Sequence, residues 1–273
     1  MKLADLIQLI EKVGIYPSKK LGQNFLLDEN LLDFITKIAS PKKDEYIIEI
    51  GPGLGSLTER ILASEAKLTA IEYDARLFAY LAGKYKNNGN ITLINEDACK
   101  SNYTKISENW SDYRVISNLP YSISTPLIAK LGELERPPLS MVFLLQKETA
   151  MRFISKNKTK EYGSISARIQ NIYDIELVRT VAPEVFYPMP EVNSAIVKFT
   201  RKAHIPDIKT RKKIDNIVKT AFLKRRKKLI NTIAPLFNGN IKEVFEQMNL
   251  NPNARPEDLS PEDYLKLSSF LKY

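Results

Sequence analysis

Short apolar runs at 46–50, 68–72, 91–95, 114–117, 141–145, 176–181 and 195–199 punctuate the part of the chain before Thr200. A strand with one wet face alternates apolar and polar residues, whereas Met141-Val142-Phe143-Leu144-Leu145 offers no polar side at all. Runs of that kind need cover on both faces, as parallel strands receive from flanking helices. Helical patterns at 57–64 and 75–85 lie between the early runs, and strand–helix–strand alternation specifies an α/β domain. After Thr200 the texture changes. Residues 205–231, 242–248 and 261–271 read as helices separated by turns that contain Pro and Asn. The chain is thus expected to divide into an α/β domain, 1–200, and a small C-terminal α-helical domain, 201–273.

Composition removes several chemistries. A single cysteine, Cys99, excludes an intramolecular disulfide framework and a cysteine-rich zinc site. A single histidine, His204, argues against a Ser-His-Asp, Cys-His or multi-histidine metal mechanism. No metal is expected, so catalysis must rest on carboxylates, amides, aromatics, backbone groups or a bound cofactor. Residues 201–273 carry 16 Lys+Arg against 8 Asp+Glu, while the rest of the chain carries 25 against 24. A near-neutral body with a basic appendage points to a polyanionic partner such as nucleic acid, with solubility charge as the plainer alternative. The first ten residues contain Asp5 and Gln8 and lack a secretory apolar core. No apolar run approaches the length of a membrane span. The expectation is a cytoplasmic chain with no membrane partner, and no heptad seam calls for anything but a monomer.

The segment Ile47-Ile48-Glu49-Ile50-Gly51-Pro52-Gly53-Leu54-Gly55-Ser56-Leu57-Thr58 is a strand, a glycine-rich turn and a helix start. Glycines let the backbone turn sharply and approach a ligand, and a helix N-terminus presents free N–H groups. The next strand ends at Glu72, 21 residues after Gly51, where a carboxylate accepts hydrogen bonds from a ribose diol. The third ends in Asn95-Glu96-Asp97, which places an acceptor for an adenine amino group. Dinucleotide enzymes use a related turn, but the spacing here is Gly-x-Gly-x-Gly, and Pro52 removes an N–H that pyrophosphate would use. A cofactor with adenosine and no phosphate fits better, namely S-adenosylmethionine. The plainer reading is a strand–helix turn alone.

The fourth strand runs into Ser117-Asn118-Leu119-Pro120-Tyr121. This resembles the Asn/Asp-Pro-Pro-Tyr motif of methyltransferases that act on exocyclic amino groups. The adenine amino nitrogen is a poor nucleophile because its lone pair is delocalised into the ring. The Asn118 side-chain oxygen and the Leu119 carbonyl can accept its two N–H bonds and aim the lone pair. Pro120 stiffens the turn and Tyr121 can stack on the base. A second aromatic cluster, Phe186-Tyr187-Pro188-Met189-Pro190, precedes the last strand. Phe186 facing Tyr121 would sandwich an unstacked base; the alternative is core packing of Phe186 with Tyr187 exposed.

Further motifs stand in order with these: Lys20-Leu21-Gly22-Gln23-Asn24-Phe25-Leu26-Leu27-Asp28 before the glycine-rich turn, Asn118 through Pro126, and Leu145-Gln146-Lys147-Glu148. Phe186 through Ser194 and Phe222-Leu223-Lys224-Arg225-Arg226-Lys227-Lys228-Leu229 complete the set. Together they resemble the KsgA family of small-subunit ribosomal RNA adenine dimethyltransferases, from about residue 15 to the C-terminus. The resemblance implies a Rossmann-like S-adenosylmethionine-dependent methyltransferase sheet, seven-stranded and mostly parallel. It implies dimethylation of N6 on two adjacent adenosines in a hairpin near the 3′ end of 16S rRNA, within a 30S precursor and late in assembly. The family's cofactor positions fall on Asn24, Leu26, Gly51, Glu72, Asp97 and Asn118, with Gly53 in the same turn. Its target-base positions fall on Asn118, Leu119, Tyr121 and Phe186. Lys227-Lys228 departs from the Lys-Thr that relatives often carry.

Two segments have independent readings. Gln23-Asn24-Phe25 either folds over the methionine end of the cofactor or is a helix N-terminal turn capped by Asp28. Residues 219–231 read as a basic helix whose cations Lys224, Arg225, Arg226, Lys227 and Lys228 cannot all pair internally, so several should meet RNA phosphate or solvent. Two other functions compete: an adenine methyltransferase of large-subunit rRNA, and a non-catalytic rRNA-binding assembly factor on the same scaffold.

Overall fold

The computed structural model describes residues 3–18, 21–108, 110 and 112–271. Lys20 of the entry motif, and Met1 and Lys2 of the N-terminal stretch, lie outside them. In chain order the first elements are α1 (Leu3–Val13), β1 (Phe25–Leu26), α2 (Glu29–Ala39), β2 (Tyr46–Ile50), α3 (Ser56–Ala63), β3 (Lys67–Glu72), α4 (Ala75–Lys84) and β4 (Ile91–Asn95). There follow α5 (Tyr103–Ile106), β5 (Arg114–Asn118), α6 (Ser124–Glu133), β6 (Ser140–Gln146), α7 (Lys147–Ile154), α8 (Ser164–Ile169), β7 (Tyr173–Val181), β8 (Phe186–Tyr187) and β9 (Ser194–Arg201). The C-terminal helices are α9 (Ile208–Phe222), α10 (Leu229–Ile233), α11 (Ile241–Gln247) and α12 (Pro261–Phe270).

The expected α/β sheet is present, with seven strands in the order β4-β3-β2-β5-β6-β9-β7. The β2–β3, β3–β4, β2–β5 and β5–β6 pairs are parallel, and β9 runs antiparallel to β6. The order doubles back between β2 and β5. Loops leaving the C-terminal ends of neighbouring strands diverge at such a reversal and leave a crevice. The apolar runs are the sheet's buried interior: Ile47, Ile48, Val115, Phe143 and Leu144 are fully covered. Leu31, Leu32 and Ile35 of α2 and Leu57 and Ile61 of α3 pack with Ile47, Ile116 and Val142 in one core. Each such side chain is worth about 2 kcal/mol by area removed from water.

The chain forms two compact units. One contains residues up to Leu131, Pro138–Ala150 and Glu176–Thr200; the other contains Gly132–Pro137, Met151–Ile175 and everything from Arg201. The helical unit therefore takes in 132–137 and 151–175, beyond the expected 201–273. Specific contacts explain both additions. The Arg211 guanidinium donates to the carbonyls of Gly132, Leu134 and Glu135 at 2.7, 2.7 and 3.0 Å, and Tyr162 and Ala167 are buried with Ile214, Ile217 and Tyr264 in one core.

The single helix expected over 205–231 is two. The chain leaves helical geometry after Phe222, passes through turns at 223–227, and re-enters a helix at Leu229. Leu229 is fully buried and its N–H is bonded to Ala254 O at 2.8 Å. Burying that side chain and satisfying that N–H against a distant segment outweighs another turn of helix, which would crowd five cations together. The basic run is a loop.

Candidate active site

At the C-terminal ends of β2 and β5 the structure encloses a cavity of about 320 Å³. Its lining includes Asn24, Leu26, Gly51, Gly53 and Glu72 from the cofactor set, together with Asp97, Asn118, Leu119 and Tyr121. Local sequence explains the approach of the two motifs. Gly51 has φ +64°, and a Cβ there would stand 3.3 Å from Pro120 Cδ. Gly53 has φ +61°, and a Cβ would meet the Phe25 ring at 3.2 Å. Only a residue without a side chain lets the turn pass this close to both the reaction motif and the entry segment.

Glu72 is buried and held by the backbone. Its Oε2 accepts from Gly53 N at 3.3 Å and its Oε1 from Asp74 N at 2.8 Å. Burial pushes its carboxyl above the usual range, and those two N–H groups pull it back down. Asn95 Nδ2 donates to Glu72 O at 2.8 Å, and Asp97 Oδ1 accepts from Cys99 N at 2.9 Å. The third-strand acceptor is thus part of a closed turn.

Residues 21–26 form a strap along the cavity, and side chains fasten it. Gln23 Oε1 accepts from Ser18 N at 2.8 Å while Gln23 Nε2 donates to Asp74 Oδ2 at 3.2 Å. The Arg76 guanidinium, hydrogen-bonded to Asp74, holds that carboxyl low, at about 2. The strap ends as the plainer reading also required, with Asp28 Oδ1 accepting from Leu31 N at 2.7 Å to cap α2. The cap is present, and the residues before it line the cavity. Asn118 Nδ2 donates to Asn24 O at 3.1 Å. A carboxamide has one donating and one accepting end, so this bond commits the nitrogen to the strap and leaves Oδ1 to a ligand. Leu119 N–H is tied to Leu144 O at 3.3 Å, and Pro120 follows with no N–H of its own.

Two expectations meet a different arrangement. Phe186 does not line the cavity; it is 3% exposed and packs in the core with Leu26 and Leu31, pairing with Leu26 across the β1–β8 ladder. Burying a ring among aliphatic side chains removes more apolar area from water than a cavity wall would. A base sandwich between Tyr121 and Phe186 is therefore not preformed, and Tyr187 is half-buried rather than exposed. Arg225 is also engaged, its Nη2 donating to Lys160 O at 3.0 Å.

Three residues escaped the sequence reading. Glu49 lines the cavity, is 2% exposed, and accepts from Thr58 Oγ1 at 2.6 Å; burial pushes its carboxyl up to about 8. A charged residue inside Ile47-Ile48-Glu49-Ile50 was the available signal. Ser194, fully buried at the start of β9, has its Oγ 2.7 Å from Tyr121 Oη. Nothing local in the sequence pairs residues so far apart. Tyr73 stands at the cavity and is largely exposed, a bulky neighbour of Glu72 that spacing alone does not distinguish.

Comparison with known proteins gives consistent matches. A family model described as ribosomal RNA adenine dimethylase matches residues 17–273. The chain is 36% identical over 272 residues to ribosomal RNA small subunit methyltransferase A of Clostridium acetobutylicum, covering 98% of each. It is 36% identical to the protein of the same name from Bacillus cereus AH187, covering 96% of this chain and 94% of that one. Among solved structures, a dimethyladenosine transferase from Plasmodium falciparum superposes with a TM-score of 0.72 at 24% identity, over 89% of this chain and 95% of that one. The 23S rRNA methyltransferase ErmE superposes with a TM-score of 0.67 at 22% identity, over 90% and 99%.

Proposed function

Because this chain belongs to the ribosomal RNA adenine dimethylase family, we propose that the cavity beside Asn118 is where adenine N6 of 16S rRNA is methylated. The chain is an rRNA adenine dimethyltransferase with S-adenosylmethionine as donor. Its cavity suits that cofactor. The size lies within the range of small-molecule sites, the walls at Leu26, Leu54 and Ile71 are apolar, and a few polar groups converge. Glu72, buried and backbone-braced, would take the ribose hydroxyls, and Asp97 the adenine amino group. Gly51, Gly53, Asn24 and Leu26 would border the methionine portion.

When bound, S-adenosylmethionine supplies a methyl group on a sulfonium, an electrophile strong enough that positioning carries most of the catalysis. Asn118 Oδ1 and the Leu119 carbonyl accept the two N–H bonds of the adenine amino group. That pairing pulls its lone pair out of conjugation and fixes its direction. Tyr121, steadied through its hydroxyl by Ser194, offers a face for the base. The observation that carries this reading is the Asn118–Asn24 bond, which sets the amide's accepting end free inside the same cavity as Glu72 and Asp97.

The substrate is a hairpin near the 3′ end of 16S rRNA in a 30S precursor, where two adjacent adenosines each take two methyl groups late in assembly. The ordered motifs support that finer reading, as does their match to relatives named for the small subunit. The enzyme acts as a cytoplasmic monomer, and the helical unit supplies RNA contacts through 224–228. Among the described residues no helix is long and apolar enough to cross a membrane. The test is methyl transfer from labelled donor to unmethylated 30S particles and, separately, to naked 23S rRNA. N6,N6-dimethyladenosine confined to 16S rRNA is expected; product only in 23S rRNA, or none, contradicts the reading.

A further inference from the structure

Within the helical unit, the basic run does not stand alone. Lys224, Arg226, Lys227 and Lys228 are exposed, and so are Lys156, Lys158 and Lys160 on the loop after α7. None of these side chains forms an ion pair among the described residues. Arg225 joins the two loops. Its Nη2 donates to Lys160 O at 3.0 Å, and its Nε lies 3.5 Å from Glu257 Oε2. The 156–160 loop is pinned to the same neighbour, with Lys158 N–H donating to Glu257 O at 2.7 Å and Asn157 Nδ2 to Asp258 O at 2.9 Å. Lys158 itself sits at φ +66°, a left-handed conformation that costs a lysine about 1 kcal/mol. Strain of that kind persists only where surrounding bonds enforce it.

Two loops of like charge repel each other, so folding them together and fixing one in a strained turn works against stability. Solubility charge needs neither feature, because scattered surface cations keep a protein in solution equally well. Two loops tied at their backbones and bearing exposed cations suit a chain of phosphates, and a backbone fixed in advance lowers the ordering cost of binding.

We propose that residues 156–160 and 224–228 form one binding surface for the RNA phosphate backbone, with Arg225 as its internal tie rather than a phosphate contact. The proposal rests on the rRNA reading above and adds to it a second loop and a different role for Arg225. A guanidinium suits the tie because it serves a carbonyl and a carboxylate at once, which an ammonium cannot do in the same geometry.

The experiment measures affinity of the full chain for unmethylated 30S particles from about 50 to 200 mM salt, where each lost phosphate contact lowers the log–log slope by roughly 0.7–0.9. The variant K156Q/K158Q/K160Q should lower the slope by about 2 and weaken binding at the lowest salt by more than tenfold. R226Q should lower it by about one contact. R225K should keep the charge yet weaken binding at least as much as R226Q, because the loops separate. Cofactor affinity, read in parallel, should stay at the wild-type value for K156Q/K158Q/K160Q and R226Q, and the melting temperature should not fall, because removing cations relieves repulsion between the loops. If wild type methylates 16S rRNA but the triple variant keeps the full slope, the two-loop surface is wrong while the functional reading stands. Wild-type binding under R225K removes the tie. A wild type that neither binds nor methylates 30S particles overturns both.

Discussion

The cavity at β2 and β5 and the paired basic loops of the helical unit treat charge in opposite ways. In the cavity, Glu49 and Glu72 are withdrawn from water, and Thr58, Gly53 and Asp74 supply the hydrogen bonds that make this tolerable. Low exposure makes each group sensitive to its few neighbours, so small displacements carry large consequences. In the loops the cations stay in water, where each contributes little alone and all are screened together by salt. An arrangement of the first kind suits selectivity for one atom of one base. One of the second kind suits affinity for a long polyanion, and the two should respond to different perturbations.

The sharpest way to break this contrast is Asn118→Ala. Removing the oriented acceptor should lower the methyl-transfer rate by about a thousandfold, while cofactor affinity, measured calorimetrically, and 30S affinity stay within a few-fold. An equal loss of all three would mean that the cavity and the loops are not functionally separable. Ser194→Ala probes a subtler part of the cavity. It should lower kcat by roughly tenfold with cofactor Kd unchanged, since Tyr121 loses its anchor. Ser194→Thr, which keeps a hydroxyl, should recover much of the rate, and Tyr121→Phe combined with Ser194→Ala should cost little more than either alone. Additive losses would show that the hydroxyl pair does not position the ring.

The smallest effect is on stability. Glu49, with its carboxyl raised to about 8, binds its proton more tightly folded than unfolded. Its contribution is fully present below the unfolded value near 4.5 and declines as pH rises through about 8. Glu49→Gln should therefore melt several degrees above wild type at pH 8, with the gap closing toward pH 5. A gap constant with pH would place the ionised form in the folded protein throughout.

Much of the cavity was legible because its determinants are local. Gly51 and Gly53 announce a tight turn, Glu72 stands at a strand end, and Asn118-Leu119-Pro120-Tyr121 follows an apolar run. Strands covered on both faces advertise themselves, and β2, β3 and β6 appear close to their expected bounds. The two-residue strands β1 and β8 leave no periodicity to read. Phe186 looked like a cavity wall because an aromatic beside prolines is ambiguous until its neighbours Leu26 and Leu31 are known. Residues 223–228 have helix-forming side chains, and what draws the chain out of the helix, burial of Leu229 and its N–H bond to Ala254 O, depends on a distant segment. The seam between 156–160 and 224–228 depends on Arg225 meeting Lys160, a contact that no spacing rule anticipates.

A crystal structure with S-adenosylhomocysteine bound tests the central claim most directly. Both ribose hydroxyls should lie within hydrogen-bond distance of Glu72, with the sulfur directed toward Asn118 Oδ1 and the Asn118–Asn24 bond intact. Ligand density outside the Gly51–Gly53 turn, or an Asn118 amide whose nitrogen faces the sulfur, would contradict it.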